Sequence, residues 1–361
     1  MKSLVALLML ALVPACAGDR PTVEGQRVTD WVLLLRSPSG ADRAHAAHAL
    51  AQFGPYARIA IKPLVTALGD PIEPVREEAA MALGAMAPDA TPLVARVLTA
   101  PTVNPEIGRW AALALGTMAR TDPRAGEALL TASRSHEAKE QALSLQGLAA
   151  CGDEISVKRL AELLDGTDRH LRLDAAEALG RVGTGARAAV PELAQAARVD
   201  DRDLSLAVLA ALGSAARGAE RGSTTATVVT SVLSGAMQHA DPLVRATAAR
   251  AAADLASPGT ATVQGLAGLL ADPAPAPRAE ASHTLGLLAP RVDDATLTAL
   301  TTATSEGARA ARVSALHALG ALGARAHGAI PVLGPLTKDR DADVRRAASD
   351  AVDHILRASA G

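Results

Sequence analysis

Residues 75–84 read V-R-E-E-A-A-M-A-L-G, an apolar residue, an arginine and then a run of small and apolar residues closed by Leu-Gly. The same module returns as L-R-L-D-A-A-E-A-L-G at 171–180, P-R-A-E-A-S-H-T-L-G at 277–286 and A-R-V-S-A-L-H-A-L-G at 311–320. Taking the arginine as position zero, copies fall at Arg43, Arg76, Gly108, Lys139, Arg172, Ser205, Arg245, Arg278, Arg312 and Arg345, spaced by 33, 32, 31, 33, 33, 40, 33, 34 and 33 residues. Self-similarity at a fixed period near 33 is the signature of a repeat array.

Within each copy, apolar residues at −1, +3, +4 and +7 form one stripe of a 3.6-residue helix, and the +8 glycine falls near its end. A second apolar-periodic segment separates successive modules, at Ile59–Leu68, Val157–Leu164, Val190–Ala197 and Ile330–Leu336. Pro191 and Pro331 fall in the first turn of such segments, where no backbone hydrogen bond is lost. Each module therefore reads as a helical hairpin that cannot bury its own apolar faces, so neighbours must stack. The 40-residue spacing adds a loop around Arg217–Thr225.

This pattern resembles the HEAT repeat family, in the short bacterial form also found in phycobilisome lyase-like proteins, over residues 28–361. The resemblance implies an all-α, right-handed α-solenoid of about ten helical hairpins. It also implies that the position-zero arginine bonds carboxylates or carbonyls at neighbouring turns. Asp70, Asp168, Asp241, Asp272 and Asp343 are the expected partners and caps.

Composition agrees with close-packed helices. Hydrophobic residues make up 49% of the 361, aromatics only 1%. Ala and Leu have the highest helix propensities, and small side chains allow short interaxial distances. The four aromatics, Trp31, Phe53, Tyr56 and Trp110, lie in the first third, so most of the chain lacks stacking platforms for single-stranded nucleic acid. The net charge of −2 supplies no basic surplus for phosphate. Nucleic acid is not an expected partner.

The N-terminus reads as an export signal. Lys2 precedes an apolar run from Leu4 to Val13, too short to span a membrane. Val13-Pro14-Ala15-Cys16 resembles a lipoprotein signal box with Pro14 as a departure. The expected organisation is a signal peptide at 1–15, a tether at 16–27 starting with a lipidated Cys16, and the repeat array at 28–361. An ordinary signal peptide cleaved near Ala15 or Ala17 is the alternative. Either leads out of the cytoplasm, to a lipid-anchored place in the cell envelope at the periplasmic face or outer membrane, or to a periplasmic or secreted form.

No catalytic constellation emerges. The HEAT-like deoxyhypusine hydroxylases carry several His-Glu pairs around iron, whereas only His136-Glu137 occurs here. Asp339-Arg340-Asp341-Ala342-Asp343 has the opening spacing of a calcium loop, but Val344 stands where glycine is needed. The turn reads as a helix cap. His48, His283 and His317 share position +5 but sit on separate repeats, so no metal site is expected. Cys151 reads as a buried thiol at a helix end. No cofactor is expected.

What remains is the stripe at +1, +5 and +9, which the resemblance places on the concave face. It includes Glu77, Met81, Arg109, Leu113, Glu177, Arg181, Arg250, His283, His317 and Arg346. Mixed charge with scattered apolar groups suits a protein or peptide. The expected function is non-enzymatic: an envelope scaffold or adaptor that binds a partner through Glu77, Arg109, Glu177, Arg250, His283 and His317. The alternative is an enzyme or enzyme subunit related to bilin lyase-like repeats.

Overall fold

A computed structural model describes residues 21–101, 104–135, 137–220, 222–255, 259–288, 292, 294–306 and 308–359. The expected signal peptide, Cys16 and His136 lie outside the described residues. The chain divides into two compact units, 1–128 and 129–361.

In the first unit the module helices are α2 (Gly40–Phe53), α4 (Glu73–Ala85) and α6 (Pro105–Met118), preceded or separated by α1 (Val28–Leu34), α3 (Ile61–Ala67) and α5 (Thr91–Leu98). Helix α7 (Pro123–Ala132) crosses the boundary. In the second unit the module helices are α8 (Ala138–Cys151), α10 (Arg169–Val182), α12 (Arg202–Ala216), α14 (Pro242–Ala251), α16 (Pro275–Leu287), α18 (Arg309–Leu322) and α20 (Ala342–Ser359). Between them run α9 (Glu154–Leu164), α11 (Val190–Ala196), α13 (Thr224–Ala236), α15 (Thr260–Leu269), α17 (Asp294–Glu306) and α19 (Ile330–Leu336). Within each unit, consecutive module helices pack side by side as one layer. In the second unit the intervening helices from α9 to α19 form the other. The core lies between, and the expected stripe is buried, as at Val75, Ala79, Ala80 and Leu83, and at Leu171, Ala175, Ala176 and Leu179.

Position +6 is buried as well, at Ala49, Ala82, Ala114, Ala178, Ala211, Ala318 and Ala351. The +8 glycine explains why. It lies inside the helix rather than at its cap; at Gly180, Gly213 and Gly320 it faces the +6 alanine of the next module, and at Gly84 and Gly286 it faces the +9 residue, Thr117 and Ala321. A Cβ at Gly180 would stand 3.6 Å from Ala211 Cα, and one at Gly213 would stand 3.0 Å from the Ala251 carbonyl oxygen. At Gly180, Gly213 and Gly320 the Leu-Gly ending is thus a groove that admits the neighbouring backbone. Three module helices stop three residues later at Gly54, Gly183 and Gly323, all with positive φ, a conformation other residues adopt only with strain. Each is followed by a 3-10 stretch (54–60, 183–189, 323–329) leading into α3, α11 or α19.

The loop expected at Arg217–Thr225 is shorter, because Ser223 caps α13 and Thr224 is already helical. Residues 23–26 of the expected tether form a turn fastened to the first hairpin. The Trp31 indole N–H donates to the Val23 carbonyl at 3.3 Å, and Glu24 meets His45 at 3.2 Å. Among the described residues no helix is long and apolar enough to cross a membrane.

Candidate partner-binding face

The position-zero arginines behave as braces. Arg43, Arg245 and Arg312 each reach an aspartate six residues before the next arginine. Arg43 grips Asp70 at 2.7 and 2.8 Å, Arg245 grips Asp272 at 2.6 and 2.7 Å, and Arg312 meets Asp339 at 2.6 Å. Arg43 and Arg245 also donate to carbonyls of their own turns, as do Arg76, Arg278 and Arg345. The hydrogen-bonded guanidinium holds the Asp70, Asp272 and Asp339 carboxyls below the usual carboxylate range. Charge-assisted forks of this kind are strong and directional. Asp168 and Asp241 cap α10 and α14 as expected. Asp343 departs from expectation. It pairs with Arg309, because the brace requires the turn residue at −6, Asp339, and Asp343 at −2 already lies on α20.

A second, exposed set of bridges lies at position −3, which the sequence reading did not single out. Arg169 meets Asp201 at 2.6 Å and Asp203 at 2.8 Å, Arg202 meets Asp241 at 3.0 Å, and Arg309 meets Asp341 and Asp343. The signal was present as arginine three residues ahead of position zero, with aspartates in the following turn.

These braces leave the +1/+5/+9 stripe facing solvent. Glu77, Met81, Arg109, Glu177, Arg181, Arg250, His283, His317 and Arg346 are all exposed, while Leu113 is half-buried. In the first unit, Arg109 and Arg76 both lie over the Trp110 ring, 5.7 and 5.8 Å from its centroid. The indole donates to Glu106 at 3.0 Å, and Glu106 pairs with Arg76 at 3.3 Å. Arg109 is therefore held against the indole by a cation–π contact. His48 bonds Glu78 across one repeat at 3.0 Å.

In the second unit, Glu177 and Arg181 approach to 3.9 Å, and Arg250 and Glu280 to 3.9 Å. Burial and the neighbouring Glu177 raise the Asp174 carboxyl above its usual range. Across α16, α18 and α20 the stripe opens into a groove with a cavity volume of about 670 Å³. It exists because the +1 residues there, Ala279 and Val313, are small. His317, Arg309, Arg346 and Asp350 stand around them. Among the described residues, the side chains of Arg346, His317 and Asp350 make no hydrogen bond or ion pair, so their polar groups are available. His283 does not line the groove. The six expected partner-binding residues are thus divided: Glu77 and Arg109 belong to the first unit, and Glu177, Arg250, His283 and His317 to the second. Among the described residues, no three His, Cys, Asp or Glu side chains are arranged to hold a metal ion.

Residues 28–103 match the family model for HEAT repeats. No curated protein matches the chain significantly. Among solved structures, Kap95p with RanGDP aligns with a TM-score of 0.66 at 14% identity, covering 93% of this chain and 51% of that one. Yeast importin-β (Kap95p) aligns at 0.53 with 12% identity, covering 92% and 50%. A further importin-β structure aligns at 0.51 with 16% identity, covering 91% and 50%. The chain spans about half the length of these proteins. At such identities the likeness concerns the fold. The stacked hairpins and these alignments together show an α-solenoid fold, in which residues 28–103 are similar to HEAT repeats.

Proposed function

We propose that the chain is a non-enzymatic interaction scaffold of the bacterial cell envelope, tethered through a lipid on Cys16, that captures a protein or peptide along the exposed module-helix stripe. One observation carries the reading: within each unit, module helices packed side by side present charged and apolar side chains at a repeating interval, while the braces are occupied elsewhere. A periodic mixed surface of this kind suits an extended polypeptide better than a polyanion. That Kap95p, with the same fold, binds RanGDP supports a protein partner without identifying one.

Crosslinking in the native envelope, followed by purification of the chain, tests this. Arg109→Glu and Arg250→Glu together should reduce recovery of the specific crosslinked partner about tenfold or more, as expected when interface cations are reversed. Unchanged recovery refutes the assignment of the face.

A further inference from the structure

Among the described residues, four large hydrophobic side chains are more than 60% exposed, and three of them are on neighbouring elements of the first hairpin: Leu33 (66%), Tyr56 (68%) and Ile59 (61%). Leu33 is on α1, which packs against the 54–60 stretch carrying the other two. Tyr56 and Ile59 are three residues apart in a 3-10 stretch, so they eclipse on one side. Arg36 and Lys62 follow Leu33 and Ile59 at the same three-residue interval. Both are exposed, and among the described residues neither side chain makes an ion pair. Arg58 is engaged with Asp89 at 2.9 Å. Scattered single apolar residues need no explanation, but three on packed elements with two unpaired cations beside them do, although exposed Asp30 also precedes Leu33 by three residues on α1.

Chain length decides what covers it. The Val23–Gln26 turn is fastened to Trp31 and His45. Only the seven residue steps from Cys16 to Val23 therefore separate the hairpin from the proposed lipid, a reach of at most about 25 Å. An aromatic residue with a polar tip, two aliphatic residues and flanking cations form the combination that settles at the headgroup–acyl boundary, with cations attracted to anionic lipid.

We infer that the Leu33–Tyr56–Ile59 face is a second, non-covalent membrane contact, seating the first hairpin in the interface of the bilayer to which Cys16 tethers the chain. The inference rests on the lipid-anchor reading above. It implies that the first hairpin is oriented by the membrane instead of swinging on its tether.

The test uses the full chain as isolated from cells, reconstituted with vesicles of phosphatidylethanolamine and phosphatidylglycerol bearing shallow-brominated acyl chains. Trp31 and Trp110 are 1% and 6% exposed, so their emission is shielded from the lipid. Tyr56→Trp adds an indole on the face. Most of that added emission should be lost to bromine quenching, and Leu33→Glu with Ile59→Glu should restore it while co-sedimentation persists. Three outcomes would overturn the inference. If the chain stays in the supernatant, the tether reading fails and the face with it. If it co-sediments but the added indole is not quenched, the tether stands and the face fails. If the added indole is shielded without vesicles in a concentration-dependent manner, the face belongs to a second copy of the chain.

Discussion

Replacing Gly213 by alanine separates local propensity from packing between repeats. Gly213 is a +8 residue inside α12, and in an open helix the change would stabilise by about 1 kcal/mol. Here the new Cβ would stand 3.0 Å from Ala251 Cβ, 3.0 Å from its carbonyl oxygen and 3.2 Å from its Cα. Two of those atoms are backbone, so relief requires moving α14 away from α12. Overfilling a packed site costs about 1–3 kcal/mol. The balance is a net loss of about 1 kcal/mol, or about 2–4 °C in Tm for a body of this size. Gly268→Ala is the control, since nothing lies within 4 Å of its would-be Cβ on the exposed side of α15. It should hold or raise Tm by about 1–2 °C. Circular-dichroism melts of both variants read the difference. If Gly213→Ala is as stable as Gly268→Ala, the glycine does not serve helix approach and the account of the Leu-Gly ending is wrong.

Three other outcomes follow from the braces, the thiol and the stripe. Asp272→Ala leaves Arg245 without its fork partner and should cost about 1–2 kcal/mol at neutral pH in urea unfolding, the pair being largely shielded yet near the surface. Because the folded Asp272 carboxyl is held below its ordinary range, its contribution is complete above the unfolded value and declines as pH falls through the folded one. Asp272→Asn should therefore flatten the acid limb of the stability curve, and an unchanged slope below about pH 4 would refute the brace. Burial raises the Cys151 thiol, so it should react with a disulfide reagent at pH 8 more slowly than a free cysteine and accelerate on unfolding. A rate equal to free cysteine would contradict that burial. Substituting His317→Gln and Arg346→Gln in the groove should weaken partner capture with no change in Tm, whereas a fall in Tm would show that these side chains serve the fold.

The hairpins were legible because their apolar positions recur within a few residues of one another, and the period in Arg43 through Arg345 marks each copy. Contacts made between copies were less legible. The burial of Ala211 against Gly180 depends on the register of two helices a full repeat apart, which local periodicity does not encode. Asp343 looked like a brace because it precedes Arg345, but only Asp339 lies in the turn that Arg312 can reach. Exposure of the stripe was readable from its place opposite the core. The division of its residues between two units was not, nor was the clamp of Arg76 and Arg109 over Trp110, which needs α4 and α6 in place.

The confinement of aromatic residues to the first third has a spectroscopic consequence. Trp31 and Trp110 both belong to the first unit, each almost fully buried, and residues 129–361 contain no tryptophan, tyrosine or phenylalanine. Intrinsic fluorescence therefore reports on the first unit alone, while helical ellipticity sums both. Melting followed by the two signals on one unlabelled sample distinguishes a chain that unravels as a single cooperative body, with coincident transitions, from one whose halves let go in sequence.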